Sequence, residues 1–223
     1  MPALFADRAD AARRLADRLA HEDLPKPRVV LALPRGGVPI GVAVARGLHA
    51  PLDLLLVRKI GAPWIPELAV AAVVESDPSD IVIDEQTAEA TGADRDDIRR
   101  QAVSACAENR RRRLAYLQDR APMDLRGVTA IVVDDGIATG TTARAALQAV
   151  RRRGASRVVL AVPVAPTRTL AALHDAADQI VCLAQPLPFD AVGQHYGSFP
   201  QVSDDEVIAL LRDSAVAPAS AGS

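Results

Sequence analysis

Ile131-Val132-Val133-Asp134-Asp135-Gly136-Ile137-Ala138-Thr139-Gly140-Thr141-Thr142 is the stretch from which the fold of this chain is read. Val128 to Val133 is mostly β-branched and apolar, the pattern of a strand buried on both faces, while Ala143 to Val150 is alanine-rich and continues at helical spacing. The turn between them therefore lies at the carboxyl edge of a sheet, where open α/β folds bind ligands. Gly140 lets the backbone approach such a ligand without a Cβ in the way. Free amides of the turn, the positive end of the next helix and the hydroxyls of Thr139, Thr141 and Thr142 suit a phosphate monoester. Asp134 and Asp135 would repel that phosphate on contact. Two acceptor-only carboxylates instead match the hydroxyls of a ribose, with Mg²⁺ as a bridge. A helix cap would explain two acids alone, but not the whole run. A Walker A loop and a dinucleotide fingerprint are excluded, because Gly-Lys-Ser/Thr and Gly-x-Gly-x-x-Gly are both missing from this turn.

Apolar residues, two acids, two variable positions and then Ala138-Thr139-Gly140-Thr141-Thr142 resemble the phosphoribosyl pyrophosphate (PRPP) motif of type I phosphoribosyltransferases. The resemblance implies that Asp134 and Asp135 are catalytic and that Gly136, Ile137, Ala138, Thr139, Gly140, Thr141 and Thr142 cradle a 5′-phosphate. Two upstream segments carry it further. Val29 to Leu33 reads as a strand, followed by Pro34-Arg35-Gly36-Gly37 and a helical run. This is similar to the family's pyrophosphate loop, which often holds a strained, sometimes cis, non-proline peptide; Arg35-Gly36 is the pair implied, with Arg35, Gly36 and Gly37 as pyrophosphate binders. Leu52 to Val57 reads as a second apolar strand ending in Arg58-Lys59, similar to the Val-Arg-Lys of adenine and orotate enzymes. These two cations are implied to neutralise the leaving pyrophosphate. Taken singly, each segment also reads as an ordinary strand-to-helix turn or a solvated strand end.

The 223 residues, 49% apolar, suffice for one α/β core with a small cap. A net charge of -2 provides no basic field for nucleic acid, and no apolar run reaches the ~18 residues that a membrane span needs. Cys106 and Cys182 lack metal spacing and read as free buried thiols of a cytoplasmic protein. The amino terminus reads as a packed first helix rather than a secretory signal, since Asp7, Asp10 and Asp17 interrupt it.

Periodicity predicts helices over 7–20, 37–48, 94–118, 141–153, 168–177 and 203–213, and strands over 28–33, 52–58, 68–75, 80–84, 128–134, 157–163 and 179–183. The alternation implies a mostly parallel sheet. The resemblance adds the type I phosphoribosyltransferase fold, with a five-stranded parallel core flanked by helices and a small hood. The expected layout is a core over 1–184 with a mobile-loop and helical insertion at about 61–127, a hood over 185–213 and a disordered tail over 214–223.

Within the insertion, Trp64 reads as a plug on the sheet or as a lid or aromatic stack over a base, and Glu75 as an acid ending the next strand, with contact to the nucleophile as the lesser reading. Arg110 to Arg113 suit the negative end of a helix and read as a solvated face, with a pyrophosphate contact as the lesser reading. The hood candidates are Phe189, His195 and Tyr196 for stacking or gating the acceptor base, with Phe189 and Phe199 also suited to a small apolar core.

From Phe5-Ala6-Asp7-Arg8 to Val202-Ser203-Asp204 the chain resembles bacterial stand-alone phosphoribosyltransferase-domain proteins. It departs from them at Trp64-Ile65 and at Tyr116 to Arg120. The activity implied is transfer of a 5-phosphoribosyl group from PRPP to a nitrogenous base, with Mg²⁺ carried on PRPP near Asp134 and Asp135. Partners are then small molecules, with a homodimer left open. Enzymes acting on 6-oxopurines commonly have an aspartate where this chain has Ala138, which favours other acceptors. A sensor of PRPP or nucleotides that lacks turnover is the alternative from another class. It would need a protein partner, for want of a helix-turn-helix. An α/β scaffold with a decayed site fits poorly with intact acids and threonines.

Overall fold

Val29 to Leu33 and Ala130 to Val133 contain no polar residue, so neither run can face water along either side. In the computed structural model, which describes residues 3–74, 81–118 and 120–215, they lie side by side as parallel strands. Strand β1 (Arg28–Ala32) follows helix α1 (Arg8–Ala20) and precedes α2 (Gly37–Leu48) and β2 (Leu52–Leu54). Next come β3 (Val57–Ala62), β4 (Ile65–Val74), β5 (Ile81–Ile83), α3 (Glu85–Thr91) and α4 (Arg95–Leu117). The second half alternates: β6 (Thr129–Val133), α5 (Thr141–Arg152), β7 (Arg157–Val164), α6 (Thr167–Leu173) and β8 (Gln179–Ala184). A 3₁₀ turn (Val192–His195) and helix α7 (Asp204–Ala215) close the described chain.

The main sheet has five strands in the order β2-β1-β6-β7-β8, all parallel. Successive residues of a strand point to opposite faces, so each buried strand feeds two cores. Val30, Ala32, Ile131 and Val133 pack with Leu15 and Leu19 of α1 and Ile40 and Val44 of α2. Leu31, Val132 and Ala130 pack with Ala146, Leu147 and Val150 of α5. Asp7 begins α1 by accepting from the Asp10 amide at 2.8 Å, which is why the apolar stripe becomes helical from Arg8. Among the described residues, no helix is long and apolar enough to cross a membrane.

The apolar run 52–58 is not one strand. β2 ends at Leu54, Leu55 still donates to the Ala32 carbonyl at 3.0 Å, and the chain then enters a three-stranded antiparallel sheet, β3-β4-β5. Leu54, Leu55 and Leu56 are all buried, so an unbroken apolar pattern hides the passage from one sheet to the other. Arg58 and Lys59 therefore stand not at a core strand end but within β3, opposite Val73 and Ala72. The antiparallel sheet covers α5 with one face and a third core with the other, where Ile60, Val70 and Val73 meet Ile98 and Ala102 of α4.

Helix α3 has no counterpart in the expected elements, although Asp84 caps it, accepting from the Thr87 amide at 3.0 Å, and Gly92 ends it at φ 65°. Helix α6 stops at Leu173, short of the expected 177. Arg113 departs from the solvated face expected of its cluster. It is buried, and its Nη2 lies 3.0 Å from Oδ1 of buried Asp53. The neighbouring Arg111 and Arg112 do stay at the surface side, paired with Glu108. Trp64 is no plug. The hairpin from β3 to β4 pairs Ala62 with Ile65, so Pro63 and Trp64 form its two-residue tip and the indole projects outward, 89% exposed. The expectations for Glu75, for Asp119 in the turn and for the tail from Val216 lie outside the described residues.

Candidate functional site

The carboxyl ends of β1 and β6 are neighbours, so the loops that leave them share one edge of the sheet. There the two glycines of the first loop rest on the two acids of the second. A Cβ on Gly36 would come within 2.0 Å of Asp135 Oδ2, and one on Gly37 within 2.7 Å of the Val133 carbonyl and 3.0 Å of Asp134 Cα. Glycine is required at both positions because side chain and backbone already fill the space. The cis peptide of this loop is Pro34–Arg35, one bond before the expected pair. Nothing local in Pro-Arg-Gly-Gly distinguishes the adjacent bonds. Arg35 is held at 3.6 Å from Asp204 Oδ1 in the first turn of α7, and Asp204 also accepts from the Tyr116 hydroxyl at 2.5 Å. Burial and that hydrogen bond push the Tyr116 phenol up to about 12.

The second loop runs from Asp134 into α5. Gly140 occupies the N-cap position at φ 83°, and no side chain there bonds to the first amides of the helix. Those amides are the orphan donors of any helix start and carry its positive end. Thr139 is exposed, and Thr141 and Thr142 are half-buried beside them. The loop is braced from below: Ile137 donates to the Val164 carbonyl at 3.0 Å, and Thr169 donates through its hydroxyl to the Ala138 carbonyl at 2.7 Å. On its far side, Thr139, Gly140 and Thr141 border a cleft of about 440 Å³ between α5, α6 and the antiparallel sheet. A helix start without a side-chain cap is the kind of place where proteins bind anions.

A family model described as the phosphoribosyl transferase domain matches residues 4–192. The chain belongs to the phosphoribosyl transferase domain family. It is similar to TT1426 from Thermus thermophilus, whose crystal structure superimposes with a TM-score of 0.80 at 40% identity, covering 94% of this chain and 98% of that one. It is also 47% identical over 208 residues to the Mycobacterium tuberculosis protein named "Putative phosphoribosyl transferase Rv0571c". That match takes in 93% of this chain and 46% of the relative, so the chain spans about half the length of the curated relatives it matches.

Within this phosphoribosyl transferase domain, the hood is built differently from the expectation. Residues 4–6 join residues 195–198: Leu4 and Phe5 donate to the His195 carbonyl, and Gly197 and Ser198 donate to the carbonyls of Phe5 and Ala6. Tyr196 is buried between Phe5 and Phe199, with ring centres 5.3 and 4.8 Å away, and its hydroxyl donates to the Asp135 carbonyl at 2.5 Å. It supports the acid loop and presents no face to a base. Burial, reinforced by the charge of Asp135, pushes its phenol far upward. His195 is buried as well, its ring 4.7 Å from that of Phe189, and burial lowers its pKa against the pull of Asp190. Both corrections have one cause. The aromatic residues of this segment are taken up by packing: Tyr196 belongs to the core that also holds Phe5, Leu15 and Ile40, and Phe189 and Phe199 pack against it.

Arg8 is the residue that the pattern of the sequence leaves without a role. Its Nε donates to Asp135 Oδ2 at 2.8 Å. Only the likeness of the segment around it to related chains marks it in sequence, since an arginine opening a helix carries no periodic signal. Arg58 reaches 3.9 Å from Glu108 on α4, away from the acid pair.

Asp134 and Asp135 share one pocket of charge. Loss of water around Asp134 and the adjacent charge of Asp135 raise its pKa well above the ordinary carboxylate range. Burial raises Asp135 too, against the opposing hydrogen bond and charge of Arg8. The folded protein therefore binds protons that the unfolded chain, with carboxyls near ~3.9, has released. Stability contributed by the protonated form is complete below that value and is lost as pH rises through the raised one. Asp134→Asn keeps the acceptor for the Asp135 amide, now bonded at 2.9 Å to Asp134 Oδ1, and removes the repulsion. It should melt higher than the parent at neutral pH, by roughly 2–4 °C per kcal/mol relieved, in a chain of this size. The gap should close on acidification toward ~4, where both forms are neutral at this site. A melting temperature that is unchanged or lower across this range would refute the repulsion.

Proposed function

We propose that this chain transfers a 5-phosphoribosyl group from PRPP to a nitrogenous base, releasing pyrophosphate. The observation that carries the reading is the seating of Gly36 and Gly37 on Asp135 and Asp134, beside the uncapped start of α5. A diphosphate donor loop, two ribose acceptors and a monoester cradle would then follow the order of the groups along PRPP. Thr139, Thr141 and Thr142 with the first amides of α5 would anchor the 5′-phosphate. Asp134 and Asp135 would hold the ribose hydroxyls, and their charge would favour the cationic ribose that forms as the C1–oxygen bond to pyrophosphate breaks.

Among the described residues, no group of three or more His, Cys, Asp or Glu forms a cage for a metal. Two adjacent carboxylates whose charges are under-compensated suit instead an ion that arrives on the substrate. Bound in that way, Mg²⁺ would neutralise charge on the departing pyrophosphate. Arg35 would meet the pyrophosphate after exchanging its pairing with Asp204. Arg58 and Lys59 would join only as the hairpin tipped by exposed Trp64 closes over the site, and we assign the lid to that hairpin. Ala138 is exposed and has no proton-accepting group, which argues for an acceptor other than a 6-oxopurine.

Mass spectrometry of the protein incubated with Mg²⁺, PRPP and a pool of purine and pyrimidine bases tests this. A new nucleotide mass, absent without protein, is expected and would name the acceptor. Intact PRPP despite measurable PRPP binding would transfer the reading to a sensor without turnover.

A further inference from the structure

The chemistry so far leaves one nearly buried cation without a task. Arg8 and Asp135 are 127 residues apart in sequence, yet their side chains meet at 2.8 Å, only 11% and 13% exposed. Two further contacts fix the guanidinium. Its Nη1 donates to the Pro200 carbonyl at 2.6 Å, and its central carbon lies 3.7 Å from the centre of the Phe199 ring. An acid, a carbonyl and a ring face together leave a planar group one orientation. Phe199 stacks on Tyr196, whose hydroxyl holds the Asp135 carbonyl. Asp135 is thus gripped twice from the same wall, by its carboxylate and by its backbone. On another side Gly36 presses against the same carboxylate oxygen.

We propose that Arg8 is a positioning residue of the phosphoribosyl site, fixing the Asp135 carboxylate for the ribose hydroxyls and tying residues 3–8 and 195–200 to the chemistry. This rests on the PRPP reading above. A carboxylate that must accept from two hydroxyls is useful only if it cannot rotate, and Arg8 donates to its Oδ2 at 2.8 Å. Lysine in its place would keep the charge but lose the flat stacking surface and the second donor.

The test is Mg²⁺–PRPP binding by calorimetry for the parent, Arg8→Lys, Arg8→Met, Asp135→Asn and the Arg8→Met/Asp135→Asn pair, with melting curves for each. Arg8→Met should weaken binding on the order of 10- to 100-fold, the usual loss when a partner that orients a ligand-holding group is removed. Arg8→Lys should recover part of it. The double variant should bind no worse than Asp135→Asn alone, because Arg8 acts through that carboxylate. A merely structural arginine would instead give losses that multiply, in step with falling melting temperatures. If Arg8→Met does not fold, Arg8→Lys against Asp135→Asn carries the comparison. A parent that fails to bind PRPP overturns the functional reading. A parent that binds, with Arg8 variants binding equally well or multiplicatively worse, overturns the role of Arg8 alone.

Discussion

Replacing Asp134 and Asp135 together by asparagine should abolish Mg²⁺-dependent PRPP binding while leaving the fold intact. Each carboxylate contributes a charge-assisted hydrogen bond worth roughly 1.5–3 kcal/mol. Losing both costs about 3 kcal/mol or more, and every 1.4 kcal/mol is tenfold, so affinity should drop at least about 100-fold. Asparagine keeps the side-chain volume and an acceptor for the Asp135 amide, now held at 2.9 Å by Asp134. Calorimetry would read the binding and circular dichroism the fold. The combination of lost binding with a retained fold is the informative one. Burial and the neighbouring charge of Asp135 hold Asp134 above the ordinary carboxylate range, while the charge of Arg8 acts on both acids and its hydrogen bond on Asp135. A site that costs stability and confers binding is one maintained for a ligand. Unchanged affinity in a folded double variant would remove the acids from the site and the PRPP reading with them.

The parts of this site that were legible in sequence are those whose chemistry is local. From Ile131 to Thr142 a strand, a glycine turn and a helix start are contiguous, so the motif states its own geometry. The same holds for Gly36 and Gly37, whose lack of a side chain is explained by what they touch. Legibility ends where a role is conferred by distant chain. Arg8 and Tyr196 reach Asp135 from the two ends of the sequence, and no spacing rule connects them. Tyr196 and His195 were expected to face a base because aromatic residues were concentrated there. Concentration alone does not say which side they turn to, and packing took them up. The run from Leu52 to Arg58 failed for a different reason. A strand buried on both faces and a crossing between two sheets leave the same apolar signature. The capping pair of Asp84 and Gly92, by contrast, was a readable signal for α3.

The largest loss of stability should come from Asp53, a buried acid in the middle of the edge strand β2. An acid in an apolar strand is tolerable only with partners. Asp53 has them on both oxygens: Arg113 Nη2 at 3.0 and 3.1 Å, the Leu54 amide at 2.8 Å and the Met123 amide at 2.9 Å. Arg120 approaches its Oδ1 to 3.6 Å and donates to the Leu52 carbonyl. One carboxylate therefore ties the end of α4 and the segment leading to β6 against the sheet edge. Asp53→Ala strips all of this at once and takes from Arg113, 7% exposed, the carboxylate that it meets at 3.0 and 3.1 Å. Breaking a buried pair from one side costs about 3–5 kcal/mol. At roughly 2–4 °C per kcal/mol, the melting temperature should fall by about 6–20 °C. Asp53→Leu with Arg113→Met should be less damaging than Asp53→Ala, since the buried cation is then removed together with the acid and apolar volume fills their place. If the single variant melts within a degree or two of the parent, or the apolar pair melts lower than the single variant, the network does not hold α4 to the sheet. Because the β3–β4 hairpin leaves the sheet right after β2 and packs against α4, loosening that anchor should also weaken PRPP binding in Asp53→Ala at temperatures where the protein remains folded.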